Sequence, residues 1–280
     1  RFSHLQRLGL YDTVAAVRMR LSAPSRPCCP QVTMFELPLA SWSLLLLGGF
    51  AVGMSKSGLA GVSLVQVLVF AVVFGAKQST GVLLPLLVVG DCCAVWLVGR
   101  EVVWSYVVKL LPPALAGVVV GWLLLGRLDE SAFKPFIGGL VLLLCGGQLL
   151  RMWRGDLLAH VPHSRSFAWG TGILSGIATM LANAAGPIVA LYLLAVSLPK
   201  QRLVATAAWF FLILNLTKIP LSASLGLISP KSLAIDAVLA PCVLAGLVAG
   251  RAIVKRIPQK LFDTLLLLFT GVAAVRLILG

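Results

Sequence analysis

The stretch LLLLGGFAVGMSKSGLAGVSLVQVLVFAVVFGAK, residues 44–77, decides the fold of this chain. It holds two apolar runs, Leu44–Met54 and Leu59–Gly75, separated by a short Ser-Lys-Ser-Gly segment. The stretch is too long for one membrane helix of about 20 residues and too short for two complete ones. We therefore expect a broken pair of helices. A break at membrane depth is tolerated only where its freed backbone groups line a cavity or are buried in protein.

The composition of the chain is that of a membrane protein. Of its 280 residues, 59% are hydrophobic and 11% are charged, and the mean hydropathy is +1.01, which is too apolar for an ordinary soluble domain. Apolar runs of about 20 residues recur along the chain, without the period-two alternation of barrel strands. We predict an all-α, polytopic integral membrane protein embedded in the lipid bilayer of a bacterial inner membrane.

The charge and the cysteines exclude several other classes of protein. The net charge is +14, but the basic residues lie in short loops rather than in a stripe with interleaved aromatics, so we expect no nucleic-acid partner. The positive-inside rule accounts for them. The six cysteines show no C-x-x-C or Cys/His metal spacing. We predict no metal and no cofactor.

The chain divides into four parts. Residues 1–40 form a polar tail that lies outside the membrane and is either non-native or disordered, with Met34 as an alternative start. Residues 41–151 form a first membrane repeat, residues 152–166 a polar connector, and residues 167–280 a second membrane repeat. Beyond the first broken pair, the predicted helices are Ser79–Val98, Val103–Leu125, Ala132–Leu150, Ala168–Met180, Ala185–Ser197, Leu203–Ser224, Ser232–Gly250 and Leu261–Leu279.

The two halves of the membrane region match each other. An offset of 123 positions aligns Gly49 with Gly172, Gly53 with Gly176, Lys77 with Lys200 and Gln78 with Gln201. An offset of 129 positions aligns residues 115–117 with 244–246 and Phe133 with Phe262. The first break then corresponds to a second one near Thr179–Ala184, and paired interruptions of this kind indicate a transporter's binding site. The alternative is that membrane helices share small-residue patterns by chance.

The basic residues also predict the orientation. If each half crosses the membrane an odd number of times, the halves are inverted and most basic loops share one side, which the Lys/Arg bias makes cytoplasmic. Those loops hold Arg100, Arg151, Arg154, Arg165, Lys200, Arg202, Arg251, Lys255, Arg256 and Lys260. The other side holds mainly Lys77, Arg127, Lys134 and Lys231. We prefer inverted repeats; an even count would give parallel repeats and a weaker bias.

The two breaks supply the first candidate binding residues. A helix N-terminus presents unpaired N–H groups and a positive dipole end, so it can hold an anion. The candidates at the first break are Lys56, Ser57, Gly58 and Gly61. Those at the second are Thr179, Asn183, Ala184 and Gly186, with Pro187 suited to the first turn of the new helix and Asn183 to its cap. The alternative for the second break is a packing kink made of small residues.

Few groups within the apolar runs can ionise, and such groups usually face a cavity or a partner. Asp91 can relay protons, pair with Lys218 or hold a helix break, and the sequence leaves these three roles open. Lys218 lies beside Asn215 and contacts substrate, unless its amine snorkels to the interface. Thr80 and Gly81, early in the next helix, extend the anion site, although their surroundings also fit an ordinary solvated loop.

Four stretches resemble the TauE/SafE family of sulfite-exporter-like membrane permeases. They are GMSKSGLAGVSL, FGAKQSTGVLLPLLVVGD, GILSGIATMLANAAGPIVALYLL and LPKQRLVATAAWFFLILNLTKIPL. The resemblance covers about residues 42–280. Residues 57–61 depart from the glycine run of many members. The resemblance implies two related halves and a transporter of small sulfur-containing or organic anions, such as sulfite or sulfoacetate.

The sequence therefore predicts a secondary carrier that works by alternating access. Its partners are a small anion and protons, with Asp91 as the proton-coupling candidate. A passive anion channel or facilitator stays open, because it would use the same breaks and lysines. A membrane protein without a transport role also stays open, although it leaves the paired breaks unexplained. We expect no enzyme, since the chain lacks a nucleophile–base or metal constellation.

Overall fold

The computed structural model describes residues 38–59, 62–153, 165–196, 198–256 and residue 275. Within these residues there are nine helices and no strand, so the all-helical prediction is confirmed. The helices are α1 (Leu39–Lys56), α2 (Val62–Phe74), α3 (Ala76–Val98), α4 (Trp104–Arg127), α5 (Glu130–Trp153), α6 (Arg165–Ala182), α7 (Gly186–Ala195), α8 (Lys200–Ser224) and α9 (Pro230–Arg256). A 3-10 turn, Gly99–Glu101, follows α3.

Five described segments are long and apolar enough to cross a membrane, which agrees with a polytopic protein. They are Leu39–Lys56, Ala76–Glu101, Trp104–Arg127, Gln201–Ser224 and Pro230–Ile253. The shorter helix α2 has 13 residues and α7 has 10, so neither reaches across a bilayer alone. Each follows a break, as the sequence predicts for a broken helix pair.

The structure corrects several predicted boundaries. Lys56 is the last residue of α1, so the prediction that it lies in the break is wrong; the described part of the break is residues 57–59. Lys77 lies in the first turn of α3 rather than in a loop, because α3 begins at Ala76, directly after Gly75, whose φ is 84°. The helix α5 extends to Trp153, into the predicted connector. The helix α1 begins at Leu39, two residues inside the predicted tail, so the predicted end of the tail at residue 40 is wrong. Residues 1–37 and, except for residue 275, the last predicted helix lie outside the described residues.

Helices α1 and α9 pack in parallel with their backbones in close contact. A Cβ atom on Gly53 would overlap the carbonyl oxygen of Val243, and one on Gly246 would overlap the carbonyl oxygen of Phe50. Small residues of this kind let membrane helices approach closely. These glycines therefore set the distance between α1 and α9.

Helices α4 and α6 make an equivalent contact. A Cβ atom on Gly176 would overlap the carbonyl oxygen of Ala114, and one on Gly117 would overlap that of Ile173. Each of these residues corresponds, by the offsets of 123 and 129 positions, to one in the contact between α1 and α9. This equivalence supports the internal repeat, which we retain as a proposal.

The helix α3 connects the two ends of the bundle. It has 23 residues and is therefore about 34 Å long, enough to cross a bilayer. At its start, Lys77 Nζ donates to the carbonyl of Leu128 at 2.7 Å and Gln78 Nε2 donates to that of Leu227 at 3.1 Å. At its other end, Trp209 Nε1 donates to the carbonyl of Gly99 at 3.1 Å. The candidate site opens at this second end.

Candidate functional site

A cavity of about 1010 Å³ lies at the end of α3. We call it the vestibule; it is lined by Lys56, Ser57, residues 94–101, Gln201, Val204, Trp209, Leu247 and Arg251. Three of these side chains are cationic, Lys56, Arg100 and Arg251, and one is anionic, Glu101. The surplus of positive charge favours the entry of anions.

Lys56 lies at the point where the vestibule meets the buried interior. Its Nζ is 2.6 Å from Asp91 Oδ1, and the side chains of Lys56 and Asp91 are 11% and 0% exposed. The same Nζ lies 5.2 Å from the ring centroid of Phe211, a cation–π distance. The pair therefore separates the vestibule from a wholly buried carboxylate.

A series of hydrogen-bonded polar groups continues inward from this ion pair. We call it the buried polar chain; its members are Lys56, Asp91, Asn215, Lys218, Thr179 and Asn183. Asn215 Nδ2 donates to Asp91 Oδ2 at 2.8 Å, and Asn215 Oδ1 accepts from Lys218 Nζ at 3.3 Å. Lys218 is 1% exposed, so the alternative that its amine reaches the membrane interface is wrong for this structure. Asp91 pairs with Lys56 directly and is connected to Lys218 only through Asn215.

Lys218 holds the break between α6 and α7. Its Nζ donates to the carbonyl of Thr179 at 2.8 Å, to Thr179 Oγ1 at 3.0 Å and to Asn183 Oδ1 at 2.6 Å. Asn183 has a φ of 53°, a conformation that asparagine adopts more readily than most residues. Its Nδ2 donates to the carbonyl of Thr80 at 2.8 Å. One lysine and one asparagine thus join α8, the second break and α3.

The two breaks lie next to each other. A Cβ atom on Gly186, the first residue of α7, would lie 2.9 Å from Ser63 Oγ in the first turn of α2. The N-termini of both short helices are therefore adjacent, and each directs a positive dipole end toward the protein interior. The two breaks therefore meet, and the binding of an anion between them stays a prediction.

The sequence matches one known protein family. The sequence profile described as "Sulfite exporter TauE/SafE" matches residues 45–277, nearly the whole chain. The chain belongs to the TauE/SafE family. No curated protein and no solved structure matches it. Membership in TauE/SafE implies a multi-pass membrane transporter of sulfur anions.

The first break offers fewer free groups than its sequence suggests. Ser57 Oγ donates to the carbonyl of Met54 at 2.7 Å, and the Gly58 N–H donates to that of Ser55 at 3.4 Å. Gly58 has a φ of 102°, which explains a glycine at this turn. Gly61 lies outside the described residues. An anion that bound the Ser57 hydroxyl or the Gly58 N–H of this TauE/SafE protein would displace one of these local bonds.

The second break and the start of α3 are similarly engaged. The Ala184 N–H donates to the carbonyl of Ala178 at 3.3 Å, and Thr80 contributes its carbonyl to Asn183 rather than its hydroxyl. Gly81 lies against the backbone of Leu227, where a Cβ atom would overlap the carbonyl oxygen. The contacts of Gly81 are those of close packing.

The vestibule contains groups that the sequence did not single out as site residues. In the sequence, Arg100 and Arg251 serve only to predict the orientation in the membrane, and Trp209 is not among the candidate residues. The ring centroid of Trp209 lies 5.2 Å from that of Trp104. Arg100 and Arg251 are about 150 positions apart, so only the fold brings them to one cavity. Within the described ranges, no group of three or more His, Cys, Asp or Glu residues is placed to hold a metal ion.

Proposed function

We propose that this TauE/SafE protein is a secondary carrier of small anions, such as sulfite, sulfoacetate or another organosulfur or organic acid, in the inner membrane of a bacterium. The observation that carries the proposal is the position of Lys56. Its amine lies at the floor of a cationic vestibule and is already paired with a carboxylate, Asp91. A substrate anion that enters the vestibule competes with Asp91 for the same amine.

Competition at Lys56 also provides a means of proton coupling. When a substrate anion takes the amine, the Asp91 carboxylate loses its counter-ion in an interior where an unpaired charge is costly. A proton on Asp91 removes that cost and the repulsion between the two anions. Binding of the anion and of a proton are therefore linked at one pair of residues, which makes Asp91 a coupling group rather than an anion ligand.

The buried polar chain supplies the remaining proposed ligands and the hydrogen bonds that change during transport. Beyond Lys56, the proposed substrate contacts are Ser57, Gly58, Gly61, Thr80, Gly81, Thr179, Asn183, Ala184, Gly186, Asn215 and Lys218. The buried polar chain joins helices of both halves through Asn215 and Asn183. For the halves to move against each other in alternating access, these bonds must exchange partners, and an anion between the two breaks offers new ones.

Flux in proteoliposomes tests this function. The full-length protein is reconstituted, and uptake of labelled sulfite and of labelled sulfoacetate is followed with and without an imposed proton gradient. A coupled carrier accumulates one of these anions above its external concentration when the gradient is present. Equilibration that ignores the gradient would identify a channel or facilitator, and flux no greater than that of empty liposomes would contradict transport of both anions.

A further inference from the structure

A second buried carboxyl group lies outside the polar chain. Asp236, on α9, is 6% exposed, and in the described part of the chain neither of its carboxylate oxygens has a hydrogen-bond partner. It lies on the buried face of its helix, between Ser232 one turn before and Leu239 one turn after. Ionised carboxylates are almost never fully buried without a partner.

Asp236 is far from the vestibule. The vestibule is lined on α9 by Leu247 and Arg251, and Arg251 lies 15 residues further along the helix, or about 22 Å. Gly90, next to Asp91, faces Val243, so Asp91 lies about 10 Å along the helix axis from Asp236. Asp236 is therefore nearer to the opposite end of the bundle, where α9 begins.

Within residues 38–59, 62–153, 165–196 and 198–256, no counter-ion is bonded to Asp236. The helices with the largest contacts on α9 are α1 and α3. Their charged or thiol side chains are Lys56 on α1 and Lys77, Asp91, Cys92 and Cys93 on α3. Lys56 and Asp91 pair with each other, and Lys77 donates to the carbonyl of Leu128. On α9 itself, Lys231 is exposed and Arg251 lines the vestibule, and neither bonds the Asp236 carboxylate.

Two serines lead from the opposite end of the bundle toward Asp236. Ser229 is partly exposed, and Ser232 Oγ donates to its carbonyl at 2.8 Å. Ser232 is buried and lies one turn before Asp236, on the same helix face. These bonds cap the start of α9, because the Ser229 N–H donates to Ser232 Oγ and the Ser232 N–H donates to Ser229 Oγ. They show that Asp236 lies close behind the partly exposed end of the helix, and it is this short distance that connects Asp236 with that side of the bundle.

We propose that Asp236 is a proton-binding site that exchanges with the membrane side opposite the vestibule and takes part in coupling. The inference rests on the proposed carrier function. In the state described, a proton is bound to one carboxylate oxygen, which leaves a neutral acid without a counter-ion; release of that proton restores the carboxylate, and no other bond changes. Asp91 then responds to the anion at the vestibule, and Asp236 responds to protons on the other side.

The matched variants are Asp236→Asn and Asp129→Asn. Asp129 is an exposed carboxylate in the turn between α4 and α5, so it controls for the loss of one acidic group. In proteoliposomes loaded with sulfite or sulfoacetate, Asp236→Asn should lose the stimulation of uptake by a proton gradient and keep anion exchange across the membrane. Asp129→Asn should keep both. Stimulation of uptake that persists in Asp236→Asn would overturn the proposal, even if Asp236 of the wild-type protein is protonated.

Infrared spectroscopy gives a readout that does not depend on transport. The carbonyl stretch of a protonated carboxylic acid should be present in the wild-type protein, absent in Asp236→Asn and shifted in Asp236→Glu. Asp236→Glu should also retain the stimulation of uptake by a proton gradient. This variant keeps the test decisive if Asp236→Asn fails to fold. If no anion is transported by any variant, the carrier function fails, and the infrared band alone still decides whether Asp236 binds a proton. An unchanged band in both variants would overturn the site.

Discussion

Lys56 at the end of α1 and Asp91 in the middle of α3 form an ion pair, with 2.6 Å between Nζ and Oδ1. The lysine faces the vestibule, and the aspartate has no exposed surface. Two charges placed in this way are stable as a pair, and each is costly without the other. The energetic consequences of this pair, and of the chain of bonds behind it, can be measured residue by residue.

The ion pair predicts a non-additive double-mutant cycle. Lys56→Ala leaves Asp91 without its counter-ion and should lower the free energy of unfolding by about 3 kcal/mol. Adding Asp91→Asn removes the unpaired charge, so the double variant should regain at least half of that loss. Thermal or denaturant unfolding in detergent measures both. Additive losses in the double variant would show that the two residues do not interact.

Asn215 should be required for stability because it bonds both Asp91 and Lys218. Asn215→Ala leaves a buried carboxylate oxygen without its donor and should cost about 2 kcal/mol, together with a loss of transport. Thr217→Ala is the matched control on the same helix, since its hydroxyl donates only to the carbonyl of Leu214. Its effect should stay within about 0.5 kcal/mol. Equal losses in the two variants would contradict the linking role of Asn215.

The glycine contacts predict similar losses in the two halves. A methyl group on Gly53 or Gly176 would overlap a backbone carbonyl of the facing helix, so either change to alanine should lower the unfolding free energy by about 2 kcal/mol or more. Gly146, in α5, has nothing within 4 Å of its Cβ position, and Gly146→Ala should be neutral or stabilising. A large loss at only one of the two packed glycines would argue against equivalent halves.

The vestibule charges should act on the rate of anion entry. Arg100→Gln and Arg251→Gln each remove one positive charge from the cavity lining and should lower initial uptake about threefold at low ionic strength. The difference should largely disappear near 1 M salt, where the screening length is about 3 Å. Arg127→Gln, an exposed charge at the end of α4, should leave uptake unchanged. An effect that is independent of salt would exclude electrostatic attraction as its cause.

Some parts of the site were predictable because their signal is local. A charge in the middle of an apolar run identifies Asp91 and Lys218, and the small residues before Pro187 identify the second break. The sequence predicts the start of the first break two residues too early, at Ser55, because a Ser-Lys-Ser-Gly segment fits a helix end and a loop equally well. In the structure, Lys56 completes the last turn of α1.

Other parts depend on contacts between distant segments. Asp91 and Asn215 are 124 positions apart, and the sequence alone does not state which lysine the aspartate meets. Whether the Lys218 amine is buried or reaches the membrane interface also depends on distant acceptors, Thr179 in α6 and Asn183 in the second break. Asp236 did have a local signal, a lone carboxylate in an apolar run, but its lack of a partner is visible only when the surrounding helices are in place.

The proposed carrier function requires the substrate anion to bind the Lys56 amine at the floor of the vestibule. The most direct test compares proton-driven accumulation of labelled sulfite and sulfoacetate by the wild-type protein, Lys56→Ala and Lys109→Ala, at equal amounts of folded protein in the liposomes. Lys109 is an exposed lysine whose amine lies over Tyr106, away from the polar chain. We expect accumulation by the wild-type protein and by Lys109→Ala, and loss of accumulation in Lys56→Ala. Accumulation by Lys56→Ala at the wild-type level would contradict this requirement.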